Sequence, residues 1–271
     1  EWMAHQRMYP FEKINDGVYR SEMKKALGMH QSSSRTQEFE WELVGPTNIG
    51  GRITDIEMPP GQSDIIYVGA ATGGIFKTEN TGQSWEQVFY DVPTISIGDL
   101  AIDPQNTDVI YAGTGEANSS SFSFLGSGVY KSTDAGQSWE YSGLEKSAYI
   151  GRMIVDYNNS DRVYAAACGN LFTPSDDRGI YRSLDAGSTW EQVLFVSDTT
   201  AAIDLVQHPQ NPDILYAGFW ERTRGFTTRR SFGKTTGIYR SIDGGDSWEE
   251  LTNGLPNPLL EKGRVGLTIS Q

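Results

Sequence analysis

From about residue 50 onward the apolar positions fall in short runs, broken every few residues by Gly, Asp, Asn, Ser or Pro. Runs rich in Ile, Val, Tyr and Phe and bounded by turn formers predict strands. The runs also recur in a fixed order. First comes a stretch that ends near a proline: DIEMPP, DLAIDP, RMIVDY, DLVQHP. DIIYVGA, DVIYAGT, DRVYAAA and DILYAGF follow, and then GGIFKT, SGVYKS, RGIYRS and TGIYRS. A fourth strand follows a tryptophan, as in WEQVF and WEQVLFV. Four antiparallel strands repeated in series predict an all-β protein made of propeller blades.

Between the third and fourth strands lies a recurring box: TENTGQSW (Thr78–Trp85), STDAGQSW (Ser132–Trp139), SLDAGSTW (Ser183–Trp190) and SIDGGDSW (Ser241–Trp248). The closing tryptophans are 54, 51 and 58 residues apart, room for a blade with long loops. The box has a turn mechanism. Asn80, Asp134, Asp185 and Asp243 offer a side-chain oxygen to the backbone N–H groups just after them. Gly136, Gly187 and Gly245 can adopt positive φ, and the Ser or Thr braces the turn. Trp85, Trp139, Trp190 and Trp248 are expected to pack between sheets. Four copies in register give these residues a structural role.

The ends depart from the repeat. GRVGLTIS (263–270) reads as the first strand of a fifth unit, and Trp41-Glu42-Leu43-Val44 resembles a fourth strand. An open propeller would expose sheet edges. The expectation is therefore an incomplete propeller of about four to five blades over 39–271, closed by blades in the same longer chain or in a partner chain. Residues 1–38 do not repeat and form a separate helical and linker segment. Asn15-Asp16 can cap a helix to about Leu27, with Gly28 as its stop and 29–38 as a Ser/Gln-rich linker.

Composition narrows the function classes. Net charge is −13 and the pI about 4.7, which disfavours nucleic acid as a partner. A single cysteine, Cys168, excludes an internal disulfide. No run approaches the roughly 20 apolar residues of a membrane helix. The chain starts at Glu1 with no signal peptide and reads as a processed or excised piece. His5, His30 and His208 lack metal-ligand spacing, and no P-loop or dinucleotide motif is present, so neither metal nor cofactor is expected.

Chemistry is expected opposite the boxes, where the second-to-third-strand loops and the approaches to the first strands meet. The long loops there carry Glu116, Asn118, Phe122 and Phe124; Phe172, Asp176, Asp177 and Arg178; and Trp220, Glu221, Arg222, Arg224, Arg229 and Arg230. Aromatics beside Arg and carboxylates suit a sugar, or a peptide bearing a carboxylate. The first strands phase Asp55, Asp99, Arg152 and Asp204 toward the central channel, with Arg52 and Arg264 at the strand approaches. A ring of inter-blade ion pairs is the simpler reading of these charges; a site is the other. Glu116 and Glu221 occupy matching places after second strands. The ligand-binding candidates are thus Arg52, Glu116, Phe122, Phe124, Arg152, Phe172, Trp220, Glu221, Arg222 and Arg224. The carboxylates open to catalysis are Asp55, Asp99, Glu116, Asp204 and Glu221.

The boxes, GPTNIGGRITDI and the GTGE and GLP motifs resemble the sortilin-like and glycosyl-hydrolase-like Asp-box (BNR) propellers of secreted bacterial proteins. That resemblance covers about residues 41–271. It implies six to ten blades in all, a secreted or cell-surface location, and relatives that include sialidases, xyloglucanases and sortilin receptors. The expected role is binding of protein, peptide or glycan through the loop face; the alternative is glycoside hydrolysis with carboxylates partly supplied from absent blades. A glycosidase needs two carboxyls about 5–5.5 Å apart for retention or about 6.5–9.5 Å for inversion. In xyloglucanase-like relatives one catalytic Asp precedes the Gly-Gly pair after the second strand of the first blade. That place here is Ala71, in AATGGIFK. Sialidase chemistry needs an Arg trio and a Tyr nucleophile; Arg52, Arg152 and Arg264 are available, but no Tyr/Glu pair accompanies them.

Overall fold

The computed structural model describes residues 15–32, 50–118, 123–224, 229–256 and 260–270. Trp41–Val44, Phe122 and residues 33–38 lie outside them.

Four four-stranded antiparallel sheets follow one another along the chain, each in the strand order of the sequence. The first holds β1 (Ile53–Glu57), β2 (Ile66–Ala70), β3 (Gly74–Thr78) and β4 (Glu86–Gln87). The second holds β5 (Ile97–Ile102), β6 (Ile110–Thr114), β7 (Val129–Ser132) and β8 (Glu140–Tyr141). The third holds β9 (Ile150–Asp156), β10 (Asn159–Cys168), β11 (Arg178–Ser183) and β12 (Glu191–Leu194). The fourth begins with β13 (Thr200–His208) and β14 (Asn211–Glu221), extends a small ribbon of β15 (Thr223–Arg224) and β16 (Arg229–Arg230), and ends with β17 (Gly237–Ser241) and β18 (Glu249–Leu251).

Apolar faces of neighbouring sheets meet in three stacked cores. Between the first two blades Tyr67, Ile75, Phe89, Ile97, Leu100, Ile110 and Tyr130 interlock. Ala101, Tyr111, Met153, Val163 and Ala165 fill the next interface, and Tyr164, Ile180, Leu205, Leu215 and Phe219 the one after. Close approach needs small residues on the inner strands. A Cβ on Gly98 would lie 2.0 Å from the Ile150 carbonyl oxygen, so any larger side chain there would separate two blades.

The boxes form the turns between third and fourth strands. Asp134 Oδ1 accepts the Ser138 N–H (2.8 Å), Oδ2 accepts the Ser138 hydroxyl (2.5 Å), and Ser132 Oγ accepts the Gly136 N–H (2.8 Å). Asp185 and Asp243 repeat this pattern; in Asn80 the amide replaces the second oxygen and donates to Ser84 Oγ at 2.8 Å. The acceptor thus reaches four residues ahead, while the preceding Ser or Thr holds the nearer N–H. Positive φ begins one residue before the expected glycine, at Thr81 (56°), Ala135 (58°), Ala186 (55°) and Gly244 (70°). Two consecutive left-handed residues make the bend.

Trp139 Nε1 donates to the Val88 carbonyl (2.7 Å) and Trp190 Nε1 to the Ser142 carbonyl (2.6 Å), each in the preceding blade. Trp248 packs against the same core as Val193, Leu194 and Val196. Trp85 is 45% exposed, and no blade precedes its own among the described residues.

The amino-terminal helix, α1 (Asp16–Ser32), is capped as expected, with Asn15 Oδ1 accepting the Val18 N–H at 3.1 Å. It does not stop at Gly28. A glycine within a helix is tolerated at a cost of about 1 kcal/mol, and Gly28 has no neighbour within 4 Å to force a break. Segment 263–270 forms no ladder among the described residues, yet its Leu267 N–H donates to Asp204 Oδ2 (2.8 Å). That bond sets it beside β13, where the inner strand of a further blade would run.

Candidate functional site

Each inner strand slips register beside its channel-facing charge: Ile53/Asp55 in β1, Ile97/Asp99 in β5, opposite Ala166/Ala167 in β9, and Ala202/Asp204 in β13. A bulge re-aims the residue that follows it. Here it turns each acid toward the next blade. Asp55 Oδ2 accepts the Leu100 N–H (3.0 Å), Asp99 Oδ2 the Met153 N–H (2.7 Å) and Asp204 Oδ2 the Leu267 N–H. In the third blade Arg152 stands at the acid's place. Its guanidinium spans the gap, 3.1 Å from Asp99 Oδ1 and 3.1 Å from Asp204 Oδ1.

These contacts only partly offset the cost of burying the Asp99 carboxylate. Burial raises its pKa well above the ordinary carboxylate value, Arg152 opposes that rise, and Asp55 adds to it. Glu57, one turn of the pleat from Asp55, is pushed up to about 7 by burial and then by Asp55, against the pull of Arg152. It was not among the sequence candidates. The signal that would have found it is its even spacing from Asp55, which puts both on one face of β1.

The loop face is built around the ends of the second strands. Glu116 is almost fully buried and pairs with Arg52. Glu221 tucks against Gly233, where a Cβ would lie 1.9 Å from its carboxyl carbon. It accepts the Thr235 N–H (3.0 Å) and hydroxyl (2.7 Å) and pairs with Arg230 (3.3 Å). Burial acts to raise the Glu221 pKa, but the Thr235 hydrogen bonds and Arg230 hold it below its ordinary value. Both glutamates therefore brace loops.

Trp220 is buried, donates to the Ser231 carbonyl (2.7 Å), and lies beneath Arg222 at 4.4 Å and Arg264 at 6.0 Å. Arg222 is wholly buried, its pKa lowered to about 10 by desolvation and then by Arg229. Arg178, also wholly buried, donates to the Arg222 carbonyl (2.9 Å) and the Asn170 carbonyl (2.7 Å). Phe124, 45% exposed, and Phe172 line a small pocket of about 180 Å³ with Tyr149, Leu125, Ser123 and, from α1, Asn15 and Tyr19. The Lys24–Glu145 ion pair (2.6 Å) also ties α1 to this face.

The structure thus brings together Trp220, Arg222, Arg224 and Phe172 around one loop cluster, and sets Asp55, Asp99, Arg152 and Asp204 in a separate inner ring. Cys168 is buried, its thiol pushed up to about 12 by desolvation, and donates to the Ala202 carbonyl at 3.1 Å. His208 Nδ1 accepts the Gln210 and Asn211 N–H groups in a turn.

Comparison with known proteins follows the same repeat. The family model described as "Sortilin, neurotensin receptor 3" matches residues 127–260. A xyloglucanase of Acetivibrio thermocellus is 26% identical over 251 residues, which are 82% of this chain and 28% of that protein. A xyloglucanase of Paenibacillus sp is 24% identical over 258 residues, 87% of this chain and 24% of that protein. The crystal structure of an ancestral GH74 enzyme superimposes with a TM-score of 0.60 at 22% identity, covering 77% of this chain and 26% of that one. The chain is an Asp-box β-propeller. It spans about a quarter of the length of the curated relatives it matches.

Within the propeller, Ala71 is 2% exposed, at the place where the resemblance to xyloglucanases calls for a catalytic Asp. No helix among the described residues is long and apolar enough to cross a membrane.

Proposed function

We propose that this propeller is one part of an extracellular glycoside hydrolase, with its loop face contributing to a polysaccharide cleft. The observation that carries the reading is the match to xyloglucanases along about four fifths of the chain. Xyloglucan or a related β-glucan is then the substrate class. The first-blade carboxylate of that chemistry has no counterpart at Ala71, and Asp99, Asp204, Glu116 and Glu221 are all held in structural contacts. Hydrolysis accordingly draws on carboxylates outside the described blades.

The test is release of reducing ends from xyloglucan and from unsubstituted β-glucans by the full protein. Turnover is expected. Its absence, with saturable binding of the same oligosaccharides, would instead establish a second reading, a non-catalytic glycan-binding propeller. Ala71 and the fully engaged carboxylates favour that second reading.

A further inference from the structure

The chain carries a net charge of −13, yet five arginines converge at the end of the fourth blade. Arg222 and Arg264 both lie over the Trp220 indole. Arg224 approaches from β15, its N–H donating to the Leu171 carbonyl at 3.0 Å, and Arg229 pairs with it across the ribbon. Arg178 lies behind, holding the Arg222 carbonyl. Burial lowers the pKa of Arg222 and of Arg224, and the neighbouring cations add to it: Arg229 and Arg264 for Arg222, Arg229 for Arg224.

Among the described residues three of these cations, Arg224, Arg229 and Arg264, have no carboxylate within ion-pair distance, whereas Arg230 of the same ribbon pairs with Glu221 and Glu261. One terminal nitrogen of Arg224, Nη1, is buried with no hydrogen-bond partner. Asn118 serves two of the cations with neutral oxygens: its carbonyl accepts from Arg222 (3.3 Å) and its side chain accepts from Arg264. A buried donor left unsatisfied is destabilising, and guanidinium forks match planar oxyanions.

We infer that the Trp220–Arg222–Arg224–Arg264 cluster is an anion-binding subsite that takes the carboxylate of an acidic sugar, a uronate residue of a glycan. The choice of a sugar over other carboxylates rests on the glycan reading given above; the anion site itself does not. Phe172 packs against the buried cluster that contains Trp220, which sets an aromatic ring beside the arginines. The ligand's carboxylate completes the donors of Arg224 and Arg264 and relieves the repulsion among the cations.

The test is calorimetric titration of the full protein with tri-galacturonate, its methyl ester, a neutral xyloglucan oligosaccharide and an acetylated peptide with a free carboxy terminus. The expected result is tightest binding of tri-galacturonate, weakened about tenfold by esterification, the worth of one charge-assisted hydrogen bond. Raising the salt from about 50 to about 500 mM weakens it further. Arg264→Gln and Arg224→Gln each lose about tenfold in affinity while the melting temperature holds or rises, because a repelling charge is removed. Equal affinity for acid and ester would overturn the anion site and leave the glycan reading intact. Binding of the peptide alone would overturn the sugar assignment. A fall in melting temperature in both variants, with affinity unchanged, would show that the arginines are structural and overturn the inference.

Discussion

Arg152 is the residue that departs most from its repeat. Three blades use an acid to grasp the next inner strand; the third uses a cation to hold the acids on either side. Arg152→Met strands Asp99 without a counter-ion, and the expected loss is about 2 kcal/mol at pH 8, discounted because the guanidinium is more than a third exposed. The loss shrinks toward pH 4. Asp99 has a raised pKa in the fold, so the folded state holds its proton more strongly than the unfolded chain, and the strain grows as pH rises. Thermal melts of both proteins at the two pH values check this. Glu57 follows the same sign. Its pKa near 7 against 4.5 means stability falls between pH 4.5 and 7, so Glu57→Gln raises the melting temperature at pH 8 and leaves it nearly unchanged at pH 4. Equal shifts at both pH values would contradict the assignment. The phase of Asp55, Asp99, Arg152 and Asp204 was legible because it repeats. Glu57 was not, because the other inner strands carry no acid at its position.

At the scale of elements, the box turn and a tryptophan packed between sheets were readable from four aligned copies, but the indole's hydrogen bond to a carbonyl of the preceding blade was not. A second pin completes it. Tyr67, Tyr111 and Tyr164 of the second strands donate to the Ala135, Ala186 and Gly244 carbonyls in the next blade's box, at 3.0, 2.9 and 2.8 Å. The repeated tyrosine in IIYVG, VIYAG and RVYAA carried that signal, yet a Tyr in a strand looks like packing until the register is known. Tyr111→Phe is expected to cost about 1 kcal/mol in urea unfolding, one hydrogen bond to a carbonyl that keeps Lys131 as a donor. Trp190→Ala is expected to cost about 3 kcal/mol, the low end for an indole because part of the ring is exposed. If the two losses were equal, packing would not be what the tryptophan contributes. Helix α1 shows the limit of local signals. Its cap was evident from Asn15, but Gly28 stops a helix only when the next residues gain by leaving it.

At the scale of the whole molecule, the fold followed from periodicity and the function did not. Blade stacking buries the sequence-level pattern almost completely, whereas the loop face depends on which side chains meet across blades. Arg178 and Arg222 are wholly buried although nothing in their local sequence distinguishes them from surface arginines. Glu116 pairs with Arg52 and Glu221 accepts from Thr235, contacts that their matching positions alone do not reveal, and Phe122 lies outside the described residues. The proposed ligand face is the rim formed by 114–118, 123–127, 170–178, 219–224 and 229–236, away from every box turn. Hydrogen exchange of the full protein, with and without a saturating xyloglucan oligosaccharide, tests that claim most directly. Slowed exchange concentrated in those loops is the expected result. Protection confined to the box turns, or none at any backbone amide of the four blades, would contradict it.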